Sequence, residues 1–413
     1  MGEAQRLVLE ATPVLAPETV AATEALGRVL AEPVRSDRTL PPADCSAMDG
    51  YAVRAADLAE ARADAPVTLA VAFEVAAGGR AERDLAPGEA ARIFTGAALP
   101  PGADAVVRQE DTERASDCVR VGLAARVGDH VRPAGEDVRA GDAVLQPGVR
   151  LRSAHLGMLS ALGRSVVSVH QRPRVAIASG GDELVEPDRP VDGGRIVSSN
   201  SYTLAAQCRE LGALPLYLGI ARDHPEEIER HLRGGLRCEV LVSSAGVSVG
   251  DRDFVRGVLE KLGCRLIFWG VLMKPGFPLA FGRVDEDRGP LVFGLPGNPV
   301  SAMVTFEQFV RPALLKMMGH TNVFRPSIEA VLEEPLTKSA GRAHFVRVGL
   351  LRATQGGIRA IPTGNQSSGV LASMTRASGL LVFPAEATQL RAGSRVRVQV
   401  LDEDFFSEAE SGL

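Results

Sequence analysis

No apolar run in the sequence is long enough to span a membrane. A bilayer-crossing helix needs about 20 predominantly apolar residues, and no segment approaches that. Aromatics are scarce as well, with Trp 1, Tyr 3 and Phe 14 making up 4% of the chain, so Ala, Val, Leu and Gly must supply most of the packing. Neither sign of charge dominates: Lys+Arg 46 against Asp+Glu 51 gives a net charge of −5. A nucleic-acid binder would show a basic excess or stripe, so that class is set aside. The cysteines Cys45, Cys118, Cys208, Cys238 and Cys264 are odd in number, scattered, and include no Cys-x-x-Cys pair. That excludes a disulfide frame or zinc site and reads as buried thiols in a reducing compartment. Met1-Gly2-Glu3-Ala4-Gln5-Arg6 has no basic segment leading an apolar one, so no secretory signal is expected. The expectation is a soluble, cytoplasmic protein with neither membrane nor nucleic acid among its partners.

What the sequence does have is length and clear punctuation. A chain of 413 residues exceeds one core and suggests about three domains of ~150 residues. Residues 1–40 carry a helical pattern, with Pro17 in a first turn and Val20, Leu26, Val29 and Leu30 on an apolar face. Short β-like runs follow from Cys45 to about Ala140, among them 67–75, 90–94, 105–108 and 118–121. Helical spacing returns over Ala154–Leu162, with Gly163 as its stop. A discontinuous first domain, 1–44 and 141–170, is therefore expected around a β-rich insert, 45–140. From 171 to 325, strands at 174–179, 215–220, 239–243, 265–269 and 291–293 alternate with helices. Asn200 or Ser201 caps one helix, Asp223 and Glu226 have capping-box spacing for the next, and Gly212 and Gly263 are stops. This predicts an α/β domain with a doubly wound, mostly parallel sheet that binds ligands at the carboxyl ends of its strands. Residues 326–404 are β-like again and predict a C-terminal barrel or sandwich.

Three glycine-bearing loops at strand ends form the candidate site. Ser243-Ser244-Ala245-Gly246-Val247-Ser248-Val249-Gly250-Asp251-Arg252-Asp253 offers hydroxyls, backbone N–H groups and two carboxylates. The plainer reading is that Asp251 and Asp253 cap the following helix. Met273-Lys274-Pro275-Gly276 aims an ammonium from a tight turn. Gly294-Leu295-Pro296-Gly297-Asn298-Pro299-Val300-Ser301 is a stiff helix entry in which Gly297 and Asn298 tolerate positive φ. Ser179-Gly180-Gly181-Asp182-Glu183-Leu184 adds acidic candidates on the same rim. Such a rim suits a phosphorylated ligand held partly through a divalent cation. Outside this domain, Asp49-Gly50 has the composition of a hairpin turn, and Phe94-Thr95-Gly96 is ambiguous on its own.

Together with Ser46-Ala47-Met48-Asp49-Gly50-Tyr51-Ala52-Val53, these segments resemble, in order and over nearly the whole chain, the molybdopterin molybdenumtransferase family, which includes the C-terminal domain of gephyrin. The resemblance implies a four-domain, elongated homodimer with its active site at the subunit interface. It also implies an enzyme that inserts molybdate into adenylylated molybdopterin and hydrolyses the adenylate with Mg²⁺, yielding molybdenum cofactor and AMP. A molybdopterin adenylyltransferase would supply the substrate. By motif match, Asp49 and Thr95 close the cleft from the partner subunit. Glu183, Asp251 and Asp253 serve metal, adenylate and attacking water, while Gly246, Ser248 and Gly250 contact the substrate. Lys274, Pro296, Gly297, Asn298, Pro299 and Ser301 shape an oxyanion pocket, supported by Ser368 and by Arg342 or Arg347. Where many bacterial relatives carry lysine, this chain has Gly270 and Phe277. Two other readings fit the same residues: a pterin-binding scaffold without turnover, and another nucleotide-hydrolysing α/β enzyme.

Overall fold

This computed structural model of the protein describes residues 1–244, 254–285, 289–353 and 356–407. Its contacts divide the chain into two units, one of Met1–Ala31, Gly148–Arg152 and Val166–Leu413, the other of Glu32–Pro147 and Ser153–Ser165.

The first unit is built on a six-stranded sheet in the order Leu214–Ala221, Arg174–Gly180, Val240–Ser244, Leu291–Leu295, Ala280–Val284 and Cys264–Trp269. The first four strands run parallel, Ala280–Val284 runs against them, and Cys264–Trp269, antiparallel to it, returns to their direction. Near-continuous apolar runs such as Val240–Val242 and Leu291–Phe293 are the pattern of strands buried on both faces. Val175 and Ile177 point to one core, shared with Leu204 and Cys208 of the Asn200–Leu211 helix and Val300 and Val304 of the Pro299–Thr305 helix. Ala176 and Ala178 point to the other, where Ile228 and Leu232 of Pro225–Gly235 meet Val255 and Val258 of Phe254–Lys261. Helices on both faces make this the doubly wound layer that the alternation predicts. Gly212 and Gly263, both at positive φ, end their helices as expected.

Strands Ser327–Leu332, Ala343–Arg352, Ile358–Pro362, Gly379–Phe383 and Arg395–Val400 close on themselves as a five-stranded barrel. Val396, Val398 and Val400 alternate inward to its core with Val346, Val348 and Phe383. Closure removes the exposed edges an open sheet would present.

The second unit carries its own six-stranded sheet, in the order Ala105–Arg108, Gly50–Val53, Glu89–Ile93, Val67–Val75, Cys118–Val121, Thr112–Ala115. Tyr51 and Val53 pack on one side, Ala52 on the other. The helix expected near Ala154 is present as Ser153–Ala161, and Gly163 follows at φ 75°.

Several expectations need correction. Pro17 opens no helix: Pro17–Ala21 is a strand antiparallel to Val166–His170, and the helix lies earlier, over Gly2–Ala11. Thr19 and Val20 are β-branched, and the segment alternates exposed with half-buried positions, a period-2 pattern. Asn200 is the first residue of its helix rather than the cap, and the Asp223–Glu226 capping box does not form; Asp223 N–H instead donates to Asp182 Oδ1 at 3.1 Å. The cysteines are free, but Cys118 is only half-buried. Burial pushes the Cys208 thiol up to about 12 and Cys264 to about 11, so both are inert at neutral pH. No helix among the described residues is long and apolar enough to cross a membrane.

Candidate functional site

Past Trp269 the chain leaves the sheet, and Met273–Lys274 pairs in parallel with Ala343–His344, the start of the barrel's longest strand. Ala343 N–H donates to the Leu272 carbonyl at 3.1 Å, securing that junction. The pairing sets Lys274 and Arg342 at the mouth of one cavity of about 580 Å³. The Lys274–Pro275 peptide is cis. Gly276 follows at φ 109°, and a Cβ there would lie 2.5 Å from Thr305 Cγ2, so the turn accepts only glycine.

Pro296, Asn298 and Ser301 line the wall on the sheet side, and Asn365, Gln366, Ser367 and Ser368 the wall on the barrel side. No carboxylate among the described residues lines the cavity. Nor does Lys274 or Arg342 have an acidic partner among them. An aqueous cleft with unpaired cations, amides and hydroxyls but no acid is built to receive an anion. His344, buried beneath, reports the same field: burial first, then the charges of Lys274, Arg347 and Lys338, hold its imidazole down at about 4.

The positive φ that Asn298 tolerates is not used at the helix entry: Asn298 is extended, at φ −63° and ψ 128°, just ahead of Pro299. Pro299 starts the helix. The Gly297 carbonyl accepts Asn200 Nδ2–H at 2.7 Å, and Val300 N–H donates to the Ser368 carbonyl at 3.1 Å. Barrel loop and helix start are thus tied to each other across the cavity floor.

Between the two candidate arginines the geometry is clear: Arg342 lines the cavity, whereas Arg347 is fully buried and does not. Arg347 Nε donates to Ser373 Oγ at 3.1 Å and Nη2 to the Ser367 carbonyl at 3.2 Å. Its backbone N–H donates to Gln366 Oε1 at 2.9 Å. It therefore clamps the Ser367–Ser368 loop from below rather than contacting a ligand as expected. Burial lowers its pKa to about 10, which leaves it charged at neutral pH.

Phe277 lies on the cavity wall, with the Arg342 guanidinium 4.5 Å above its ring and Trp269 edge-on at 5.9 Å. The sequence reading missed this stack, as it missed the Asn200–Gly297 bond. The one available signal was an aromatic directly after Lys-Pro-Gly.

Other candidates fall elsewhere. Asp182 opens on a separate cavity of about 650 Å³, shared with Arg189, Asp192 and Arg222. Glu183 is exposed, folds back over Gly181 and does not line the Lys274 cavity. Ser244 is buried and bonded to Ser179 Oγ at 3.2 Å, so it is no rim hydroxyl. Gly246, Ser248, Gly250, Asp251 and Asp253 lie outside the described residues. Those that are described form no cluster of three or more His, Cys, Asp or Glu able to hold a metal.

In the second unit, Asp49 and Thr95 meet: Asp49 Oδ1 accepts both the Thr95 backbone N–H and Oγ1–H, each at 2.8 Å. The backbone bond first and the hydroxyl bond second hold the exposed Asp49 carboxyl below its usual range. Gly50 is no hairpin turn but the first residue of Gly50–Val53; a Cβ there would lie 2.0 Å from the Val107 carbonyl oxygen.

Residues 1–163 match the family model for the MoeA N-terminal region (domain I and II), 176–316 a probable molybdopterin binding domain, and 329–401 the MoeA C-terminal region (domain IV). The chain is 39% identical over 402 residues to molybdopterin molybdenumtransferase 2 of Mycobacterium tuberculosis, covering 96% of this chain and 98% of that one. It is 38% identical over 374 residues to the molybdopterin molybdenumtransferase of Nostoc sp., covering 90% and 86% respectively. A crystal structure of the molybdopterin biosynthesis MoeA protein from Pyrococcus horikosii superposes with a TM-score of 0.84 at 32% identity, covering 97% of this chain and 98% of that one.

Proposed function

The chain belongs to the molybdopterin molybdenumtransferase family, and from its site we propose that it inserts molybdate into adenylylated molybdopterin, releasing AMP. It is a transferase of molybdenum cofactor biosynthesis. One observation carries the finer reading: a cavity of about 580 Å³ with unpaired Lys274 and Arg342 and no carboxylate among the described residues.

Molybdate is a tetrahedral dianion, and two cations beside the Ser301 and Ser368 hydroxyls supply the charge and donors it needs. Pro296, Gly297, Asn298 and Pro299 hold the helix entry in one conformation, so the donors are oriented before the substrate arrives. Arg347 and Ser373 keep the Ser368 loop against that entry. Transfer replaces Mo–O bonds with bonds to the dithiolene sulfurs, the displaced oxide leaving as water with the thiol protons, and a further water cleaves the pyrophosphate link to give AMP and the phosphate-ended pterin.

Mg²⁺ fits a rim offering one or two carboxylates and room for water. Exposed Glu183 is proposed as one such carboxylate, with Asp251 and Asp253 completing the set. When bound, the ion would neutralise pyrophosphate charge. Gly246, Ser248 and Gly250 are assigned to the substrate beside them. The reading extends to a cytoplasmic homodimer in which Asp49 and Thr95 of one subunit serve the cavity of the other, with a molybdopterin adenylyltransferase as donor.

The test combines purified protein, adenylylated molybdopterin, molybdate and Mg²⁺. Molybdate-dependent AMP release with formation of active cofactor is expected. Tight pterin binding without AMP release would replace this reading with a scaffold, the alternative motivated by Gly270 and Phe277 standing where the family resemblance implies lysine.

A further inference from the structure

A second cluster of cations lies in the same unit as the Lys274 cavity and shares no lining residue with it. Arg28, Arg150, Arg172 and Arg209 line a cavity of about 180 Å³ with His170 and His320, and Glu210 is its one acid. The arginines come from separate parts of the chain. Arg28 follows the Pro17–Ala21 strand, Arg150 lies in the Gly148–Arg152 segment, Arg172 joins Val166–His170 to Arg174–Gly180, and Arg209 is in the last turn of Asn200–Leu211. Gathering like charges from distant segments is unfavourable unless something opposes them.

The protein opposes only one of them. Arg28 donates to the Glu18 carboxylate and, at 2.6 Å, to the His170 carbonyl. The side chains of Arg150, Arg172 and Arg209 make no hydrogen bond or ion pair among the described residues. Arg172 Nε is buried without a partner, a state that folded proteins rarely leave unanswered. Glu210 is exposed and also lines an adjoining cavity of about 550 Å³. That neighbour balances its own charges, Arg311 and Arg325 against Asp402, Glu403 and Asp404, so the positive excess belongs to the smaller cavity. His320, on the wall common to both, senses it: burial first, then the Arg150 and Arg311 charges, hold its imidazole down at about 4. His170 is a fixed part of the lining. Its Nδ1 lies 2.9 Å from the Leu15 carbonyl and must carry a proton there, since that oxygen only accepts. A Cβ on Gly319 would lie 2.2 Å from His170 Cδ2, so the ring sits tight against that glycine.

We propose that this cavity is a second oxyanion site, which takes one tetrahedral inorganic dianion between Arg150, Arg172 and Arg209. Arginine is suited to the task, since its planar fork of N–H donors matches paired oxyanion oxygens. Size sets the class of ligand. Pockets for organic ligands run to roughly 300–1,000 Å³, so about 180 Å³ is too small for a pterin or nucleotide and suits one ion with its waters. The Asn200–Leu211 helix keeps the two sites apart. Asn200 bonds Gly297 beside the Lys274 cavity, and Arg209 lies nine residues along the helix, a rise of roughly 14 Å. The proposal does not depend on what the Lys274 cavity binds. Phosphate, sulfate and molybdate share the chemistry, and separate titrations distinguish them.

The test starts from Lys274→Ala with Arg342→Gln, which removes both cations from the other cavity. Each of the three anions is titrated by equilibrium dialysis at neutral pH and fixed ionic strength, so that a site is separated from screening. One oxyanion per chain is expected to bind, and the tightest of the three identifies what the site selects. Adding Arg150→Gln or Arg172→Gln should weaken that binding about tenfold, the worth of one charged hydrogen bond. A second measurement needs no change to the arginines. The His320 ring, one of seven histidines and assigned by comparison with His320→Gln, is followed by NMR in wild-type protein. Sulfate stays fully ionised over the range in which His320 titrates, and it should raise that pKa by offsetting the Arg150 charge. No oxyanion bound once Lys274 and Arg342 are replaced, binding indifferent to both arginine changes, or a His320 titration that sulfate does not move would each overturn the proposal. Should an arginine variant fail to fold, the dialysis on the starting variant and the His320 titration decide.

Discussion

Asp49 shows how a single residue's chemistry differs from what its neighbours in sequence suggest. Asp49-Gly50 has turn composition, yet Gly50 enters a strand because the Val107 carbonyl leaves no room for a side chain. That distance belongs to the pairing of two strands, and no local pattern carries it. The carboxylate accepts two bonds from Thr95, the backbone bond being the larger influence. Since the folded pKa is depressed, the interaction is complete above the ordinary Asp value of about 3.9 and is lost as pH falls through the folded value. Thr95→Val removes only the hydroxyl bond. In an NMR titration its Asp49 should titrate higher than in wild type yet still below the ordinary value; an unchanged titration would show that the hydroxyl contributes nothing. The arginine assignment was equally closed to sequence. Arg342 and Arg347 flank the same apolar run, and only barrel closure puts one at the cavity and the other beneath it.

Elements were legible wherever burial imposes a period. The strands at 174, 240 and 291 are continuous apolar runs, and the helices between them end at glycines, so the doubly wound layer followed directly. The N-terminal segment misled because proline and an apolar scatter suit a first helical turn, while its actual partner, Val166–His170, is remote in sequence. Equally invisible was the polar knot at the π-helical turn Phe306–Val310. Glu307, 5% exposed, accepts Gln207 Nε2–H and Arg325 Nε–H, each at 3.0 Å, and lies 3.7 Å from Arg311 Nε. Burial opposes the charge on Arg325, but Glu307 outweighs it and raises the pKa; Arg311, farther off, is lowered by burial and then by Arg325. Arg325 Nη1 also donates to the Leu401 carbonyl, at 3.3 Å. Glu307→Ala would strand buried cations and should cost about 3–5 kcal/mol. Chemical denaturation checks this, and a loss below about 1 kcal/mol would mean that water already screens the knot as it does an exposed pair.

At the scale of the whole molecule, the ordered motifs were legible as a family pattern, whereas the relation between them was not. Lys274, Ser301, Arg342 and Ser368 converge within one unit, while Asp49 and Thr95 belong to the other. In the proposed homodimer Asp49 and Thr95 of one subunit serve the Lys274 cavity of its partner. Homodimers are the commonest closed assembly, and a twofold interface repeats any exchanged contact in both directions. This makes the composite site testable by mixing. Asp49→Ala and Lys274→Ala should each abolish molybdate-dependent AMP release as separate proteins. Unfolding, mixing and refolding equal amounts would place both defects in one site of each mixed dimer and leave its other site intact. Activity should then return to about a quarter of wild type, because about half of the dimers are mixed and each carries a single working site. If each site were built within one subunit, every site in the mixture would keep one defect and no activity would return.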